Sequence, residues 1–272
     1  MDFNEYKEIM NAQYLLLNGL YFNNAIRKQK YVINSSDNIT DNYWNFLTLN
    51  NESMLDDNGI LKNLETDFKL IKRQPSIFIP NVIDKYLEYC DLLIEKGYKS
   101  IASDVFMSLS KNVIATSVKN DTKLVLTREL YLDFMEVLSS AYSGELSLDN
   151  PYSGAITKEY YIAIEKSLLN KQFNHMILYY NGFPACVATL SYKDGYGIIN
   201  NVGTKKEFQN LGLGRQMINA CIERFNTLGG GTLFLFTESG SKNEKWYASL
   251  GFKSEFINEQ FIKEEEEAHE GI

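Results

Sequence analysis

Histidine and cysteine are scarce in this chain, and the scarcity narrows its chemistry. The 272 residues hold two histidines and three cysteines. His175 precedes an apolar run that reads as a strand, and His269 lies in a charged tail, so a histidine base, a catalytic triad or a metal site finds no support. Cys90, Cys186 and Cys221 are an odd set in apolar or helical surroundings. They read as reduced core thiols, the pattern of a cytoplasmic protein. Long apolar runs are missing too. None approaches the roughly 18–20 residues of a membrane helix, so no membrane partner is expected. Met1-Asp2-Phe3-Asn4-Glu5 has neither the basic nor the apolar region of a signal peptide, and none is expected. Positive charge is in deficit: 27 Lys and Arg against 35 Asp and Glu leave a net charge of −8. That argues against nucleic acid as the partner. Part of the deficit sits in the run Glu264-Glu265-Glu266-Glu267, which reads as a solvated, frayed end.

What is present is globular: 44% hydrophobic and 23% charged residues, in a length that suits one large domain or two ordinary ones. Residues 3–20 have helical spacing. Residues 42–49 read as a strand, and 61–71 as a helix with Leu61, Leu64, Phe68 and Ile71 on one face. Residues 77–79 form a short buried strand stopped by Pro80, and 82–96 a helix ended by Gly97. The chain is polar and aperiodic over 113–121, which sets a boundary between domains 1–120 and 121–272. The second domain opens with a strand at 123–127 and helices at 129–142 and 158–169, separated by a loop around 150–154. A meander follows, with strands at 176–180, 185–191 and 196–202 and the hairpin dipeptides Asn181-Gly182 and Asp194-Gly195 between them. Then come a helix at 216–226, a strand at 232–236, a helix capped by Ser241 or Asn243 that runs to Gly251, and a last strand at 256–262. The order β-α-α-β-β-β-α-β-α-β makes this an α/β (α+β) mixed sheet with helices on both faces.

An internal echo links the halves. Gly97-Tyr98-Lys99-Ser100 matches Gly251-Phe252-Lys253-Ser254, and each follows a short apolar strand and a helix. Corresponding positions are 153 to 156 residues apart. The first copy has Asn58-Gly59-Ile60-Leu61 where the second has a Gly-rich turn, so the repeat is degenerate.

That turn, Gln209-Asn210-Leu211-Gly212-Leu213-Gly214-Arg215, lies between a strand and a helix. A helix N-terminus leaves four backbone N–H groups unpaired and carries partial positive charge. Gly212 and Gly214 let a ligand approach the backbone. This is an anion cradle. It is not a P-loop, because Arg215-Gln216 stands where Lys-Ser/Thr is needed, nor a dinucleotide fingerprint, because Met217 replaces the third glycine.

The strand, the segment from Val202-Gly203-Thr204 to Gln209-x-x-Gly212-x-Gly214, the helix, and Tyr247-x-x-Leu250-Gly251-Phe252 together resemble the GNAT superfamily of acyl-CoA N-acyltransferases, over roughly residues 121–262. The resemblance implies a GNAT-like fold, in tandem if the echo is structural, with only the second copy intact. It implies acetyl-CoA as co-substrate and no metal. The pyrophosphate would meet the N–H groups of Asn210, Leu211, Gly212, Leu213, Gly214 and Arg215, with side-chain donors from Gln209 and Arg215. The pantetheine arm and thioester would lie beside Asn201, Val202, Gly203 and Thr204, where a backbone N–H polarises the thioester carbonyl. Tyr247 would protonate the leaving thiolate, and Asn243, one turn earlier, would reach the same ligand. The amine, on a small-molecule or peptide acceptor, would attack directly.

The general base stays unassigned. Many family members keep a glutamate on the strand before the turn, but here it reads Tyr196-Gly197-Ile198-Ile199-Asn200-Asn201; Glu238 or a water are the options. The missing carboxylate motivates a second reading, a non-catalytic acyl-CoA-binding regulator. The repeat motivates a third, an aminoacyl transferase that draws on charged tRNA, against which the acidic charge and the intact turn both argue.

Overall fold

Thr127 and Ser241 cap two of the helices with their side chains, and the strands at 31–35, 46–49 and 76–80 are buried at every residue. The computed structural model describes residues 1–57, 59–109, 120–143, 154 and 156–263. In chain order these form α1 (Phe3–Leu17), β1 (Asn24–Arg27), β2 (Tyr31–Ser35), β3 (Phe46–Leu49), α2 (Ile60–Leu70), β4 (Ser76–Pro80), α3 (Tyr86–Glu95) and β5 (Tyr98–Leu109). They continue with β6 (Asp121–Leu124), α4 (Arg128–Ala141), α5 (Lys158–Ser167), β7 (Phe173–Tyr180), β8 (Phe183–Lys193) and β9 (Tyr196–Thr204). The last are α6 (Leu213–Thr227), β10 (Thr232–Glu238), α7 (Lys242–Ala248) and β11 (Phe252–Lys263). Asn58, the boundary stretch 113–119, most of the loop 143–157 and the tail with Glu264–Glu267 and His269 lie outside the described residues. No described helix is long and apolar enough to cross a membrane.

The chain divides into two compact units. The first holds residues 1–11, 21–104 and the described residues from 256 on; the second holds 12–20 and 105–255. The chain leaves the first unit inside β5, after Asp104, and returns to it inside β11, after Glu255.

In the first unit β1, β2 and β3 form an antiparallel meander, β4 lies parallel to β3, and β11 lies antiparallel to β4. The registers align Ile33, Leu47, Ile77 and Phe261 in one row across four strands. None of the four is more than 1% exposed. Such cross-strand apolar rows hold a sheet in register, because a one-residue slip would turn every member to the other face. On that other face Phe46 meets Phe78 edge-to-face at 4.5 Å.

Three local readings change here. Residues 42–44 form a 3-10 turn, not the start of a strand, because Asp41 accepts the Tyr43 N–H at 2.8 Å and caps it. The turn stacks Trp44 on Tyr21 at 4.1 Å, and the strand begins at Phe46. The sequence reading passes over the hairpin β1–β2, which has no turn dipeptide, and the long strand β5, whose first half is largely polar. With β5 in view the internal echo becomes structural. Gly97 and Gly251 both take positive φ (78° and 97°), and each opens a 12-residue strand.

In the second unit β10 is parallel to β9, and β9, β8, β7 and β6 follow as an antiparallel meander. Both hairpin dipeptides turn as their composition demands, with φ of 52° and 83° at Asn181-Gly182 and 51° and 81° at Asp194-Gly195. β6 ends at Leu124, short of the expected 127, because Thr127 caps α4 by accepting the Leu130 N–H at 3.3 Å. Consecutive β7 residues point to opposite faces. His175 meets Phe134 of α4 at 5.5 Å, and Met176 meets the Cys221 thiol of α6 at 4.0 Å. The two helices therefore cover the two sides of this sheet.

Truncation at the centre of the first unit's row tests this account. Leu47→Ala is expected to cost about 2–5 kcal/mol, read as a drop in urea midpoint. Leu70→Ala, at a side chain that is 74% exposed, is expected to stay within about 0.5 kcal/mol. Equal effects from the two would refute the row as a core.

Candidate functional site

Strands β9 and β10 pair only where they begin. Tyr196, Gly197 and Ile198 face Thr232, Leu233 and Phe234. The pairing stops there, although β9 runs on to Thr204 and β10 to Glu238. On its other edge β9 stays paired with β8, through an irregularity between Val187 and Thr189. Asn201 sits at that irregularity with φ +54°, in the left-handed region. A bulge of this kind increases local twist and turns a strand away from its neighbour. The result is a wedge, open on the β10 side of residues 199–204.

The wedge runs into the mouth of α6. The helix begins at Leu213, three residues before the expected 216, with Asn210 and Gly212 in left-handed conformation (φ 61° and 75°). The bond that closes its first turn runs from the Gln216 N–H to the Gly212 carbonyl at 3.2 Å. The N–H groups of Leu213, Gly214 and Arg215 come before it and have no partner within the helix. A Cβ built on Gly212 meets nothing within 4 Å, so the mouth is open at that point. One built on Gly214 would lie 3.2 Å from Trp246 Cζ2 and 3.7 Å from Thr204 Oγ1. The end of β9, the Gly-rich turn and α7 therefore meet at Gly214.

The other singled-out residues fall around this junction in different ways. Gln209 donates to the Thr204 carbonyl at 3.3 Å, and Thr204 Oγ1 to Cys186 Sγ at 3.1 Å, so both side chains brace the turn from within. Arg215 is exposed and donates to Ser249 Oγ at 3.4 Å. Leu211 is exposed and Leu213 is buried. Gly203 is buried under α4, where a Cβ would lie 2.7 Å from that of Ala141. Its missing side chain serves packing. The Val202 carbonyl accepts from Tyr142 Oη at 3.3 Å, and Asn201 Nδ2 donates to Thr189 Oγ1 at 3.1 Å. On α7, Ser241 is the cap, accepting the Glu244 N–H at 3.2 Å, which leaves Asn243 inside the first turn and half-buried.

Tyr247 is buried, with ring centroids of Trp246 and Phe252 at 4.7 and 5.9 Å. Burial raises its pKa far above that of an ordinary tyrosine, with Tyr142, Cys221 and Cys186 adding to the shift. Tyr142 is itself pushed up to about 12 by burial. No motif marks Tyr142, which caps the end of α4, so the sequence offers no signal for it. His175 also surfaces only in the fold. It lies inside β7, bonded to Ser167 Oγ at 2.8 Å and Thr189 Oγ1 at 2.9 Å. Burial lowers its pKa to about 4.

The thiols are unreactive by environment. Burial pushes Cys186 up to about 12 and Cys90 up to about 11. Among the described residues no cluster of His, Cys, Asp or Glu is arranged to hold a metal ion. Glu238 closes β10, where its carbonyl accepts from Ser241 Oγ at 2.6 Å.

Comparison with known proteins agrees with this geometry. Residues 170–254, from the meander to the strand after α7, match the model of the acetyltransferase (GNAT) domain. This part of the chain is a GNAT domain. The fold of a GCN5-related N-acetyltransferase from Kribbella flavida is similar over 95% of this chain and 96% of its own, with a TM-score of 0.67 at 13% identity. One from Sphaerobacter thermophilus matches over 94% and 84%, with a TM-score of 0.65 at 10% identity. A tandem GNAT protein from the clavulanic acid biosynthesis pathway matches over 87% and 79%, with a TM-score of 0.55 at 11% identity. No curated protein matches the sequence significantly. The GNAT-like fold thus extends beyond the matched domain to most of the chain.

The buried histidine makes GNAT-domain stability depend on pH. His175 has a depressed folded pKa, about 4 against 6.5, so the unfolded chain binds protons more readily between those values. Stability is therefore lost as pH falls from 6.5 towards 4, by up to about 3 kcal/mol at ~1.36 kcal/mol per pH unit. Urea midpoints at pH 7.0 and 4.5 should differ less in His175→Gln than in the parent protein. An unchanged difference would refute the assignment.

Proposed function

We propose that the protein is an N-acetyltransferase that moves the acetyl group of acetyl-CoA to a primary amine on a small-molecule or peptide acceptor. The observation that carries this reading is the junction at Gly214, where the open wedge of β9, the unpaired N–H groups of α6 and the helix bearing Tyr247 converge. The fold is that of acyl-CoA N-acyltransferases in general; the acyl group and the amine acceptor are the proposal.

The residues fit the co-substrate. The N–H groups from Asn210 to Arg215 surround an open helix mouth suited to a pyrophosphate. The unpaired edge of β9 can bond an extended arm by main-chain hydrogen bonds, as an added strand would. When bound, acetyl-CoA supplies an activated acyl group. Asn201, Val202, Gly203 and Thr204 would flank the thioester, with β9 N–H groups polarising its carbonyl. Asn243 would reach the same ligand from α7. Tyr247 keeps its proton through the whole physiological range, because burial disfavours the phenolate. It would give that proton to the departing thiolate. The protonated, buried thiols support direct attack by the amine over an acyl-cysteine route. The competing reading, a non-catalytic acyl-CoA-binding regulator, draws on the absence of a carboxylate from residues 196–201, the strand on which many relatives keep one.

Two measurements decide between these. Acetyl-CoA at about 100 times its Kd should stabilise the protein by about 2.7 kcal/mol, or roughly 5–10 °C in Tm. No shift at any excess would sink both readings. Tyr247→Phe keeps the ring contacts and removes the proton. Thiol release with an amine panel should then fall by about 100-fold or more, with the thermal shift unchanged. Thiol release within threefold of the parent would remove Tyr247 as the acid, and no release by either form would favour the regulator.

A further inference from the structure

Behind the bulge of β9 runs a continuous chain of side-chain hydrogen bonds whose direction can be read from its far end. Ser167 Oγ–H donates to the Ile164 carbonyl at 2.7 Å, near the end of α5. Its one proton is thereby committed, so towards His175 it can only accept, from Nε2–H at 2.8 Å. His175 then carries its proton on Nε2, and Nδ1 is an acceptor. Thr189 Oγ1–H must fill it, at 2.9 Å. The Thr189 oxygen is left to accept from Asn201 Nδ2–H at 3.1 Å. Every donor meets an acceptor, from a helix carbonyl through two strands to the left-handed residue of the bulge.

The elements involved are fixed independently. Thr189 and His175 face each other in the β7–β8 register, and Thr189 faces Asn200 in the β8–β9 register. Ser167, His175 and Thr189 are each at most 2% exposed. Depression of the histidine pKa agrees with a neutral ring whose Nδ1 accepts. The neighbouring peptide is held from a second direction by Tyr142 on the Val202 carbonyl. A left-handed asparagine in a strand is a strained conformation that persists only when its surroundings over-determine it, and this chain does so.

We propose that Ser167, His175 and Thr189 are positioning residues that hold Asn201, and with it the bulge of β9, in the conformation that receives the acetyl end of acetyl-CoA. The inference rests on the acyl-CoA reading above. None of the three touches the ligand; they act through Asn201. Because the bulge lies beside the thioester and away from the helix mouth, the chain should discriminate between ligands that differ only in the acetyl group.

Titration calorimetry with acetyl-CoA and with free CoA tests this without any acceptor amine. Thr189→Val preserves shape and deletes the hydroxyl that links His175 to Asn201. The Kd for acetyl-CoA should rise about 10-fold and that for CoA should stay within twofold. Thr189→Ser, which restores the hydroxyl, should return acetyl-CoA binding to within twofold of the parent. Ser167→Ala, at the far end, should weaken acetyl-CoA about threefold and again spare CoA; it also serves if Thr189→Val does not fold. Equal weakening of both ligands, or no weakening of either, would overturn the positioning role while leaving the acyl-CoA site standing. Failure of the parent protein to bind either ligand would overturn the acyl-CoA reading, and this inference with it.

Discussion

The parting of β9 from β10 after Ile198 and Phe234 is the constraint on which the GNAT domain depends. A parallel strand pair that stops pairing leaves backbone donors and acceptors facing a gap, and such groups need partners. The fold supports the gap from every side within this unit. β8 holds the far edge of β9, Gly203 lets α4 lie close beneath it, and Gly214 lets α6 and Trp246 close against its end. The Gly229–Gly231 run keeps the pairing intact at the closed end. A Cβ on Gly231 would come within 1.8 Å of the Gly195 carbonyl, which instead accepts the Thr232 N–H at 2.8 Å.

Burial then decides the chemistry available at the gap. The same low-dielectric surroundings keep Tyr247 protonated, keep Cys186 and Cys221 as thiols and keep His175 neutral. A nucleophilic cysteine would need the opposite environment, with nearby positive charge or a helix N-terminus to favour the thiolate. Among the described residues of this unit the one buried lysine, Lys205, is paired with Glu136, so its charge is compensated locally. What the site has in quantity is neutral donors: backbone N–H groups, a phenol and amides. Such a set can hold an anion and polarise a carbonyl.

Much of this domain was legible in the sequence. The Asn181-Gly182 and Asp194-Gly195 dipeptides located two hairpins because few other residues accept those φ values. The Gly-rich turn and Tyr247-x-x-Leu250-Gly251-Phe252 stood out because each needs particular residues at fixed spacing. The first unit was harder. Its strand β5 reads Tyr98-Lys99-Ser100-Ile101-Ala102-Ser103-Asp104 before any apolar run begins, and its hairpin β1–β2 lacks a turn dipeptide. The aromatic run at 43–46 misled in the other direction, since strand propensity there yields to the Asp41 cap. Tyr142 and His175 were invisible as site residues for a related reason. Their partners, Val202 and Thr189, lie 60 and 14 residues away, and nothing in local spacing records such pairs.

The sequence by itself determined the meander, the helix mouth and the order of the elements from β6 on, because turn dipeptides, glycines and apolar periodicity act within a few residues of chain. Only the tertiary structure decided that β9 and β10 part after three pairs, that the two motifs meet at Gly214 and Trp246, and that a buried histidine reaches Asn201 through Thr189. Those are contacts between segments far apart in the chain. They exist only once burial has fixed which faces meet and which protons each buried group keeps.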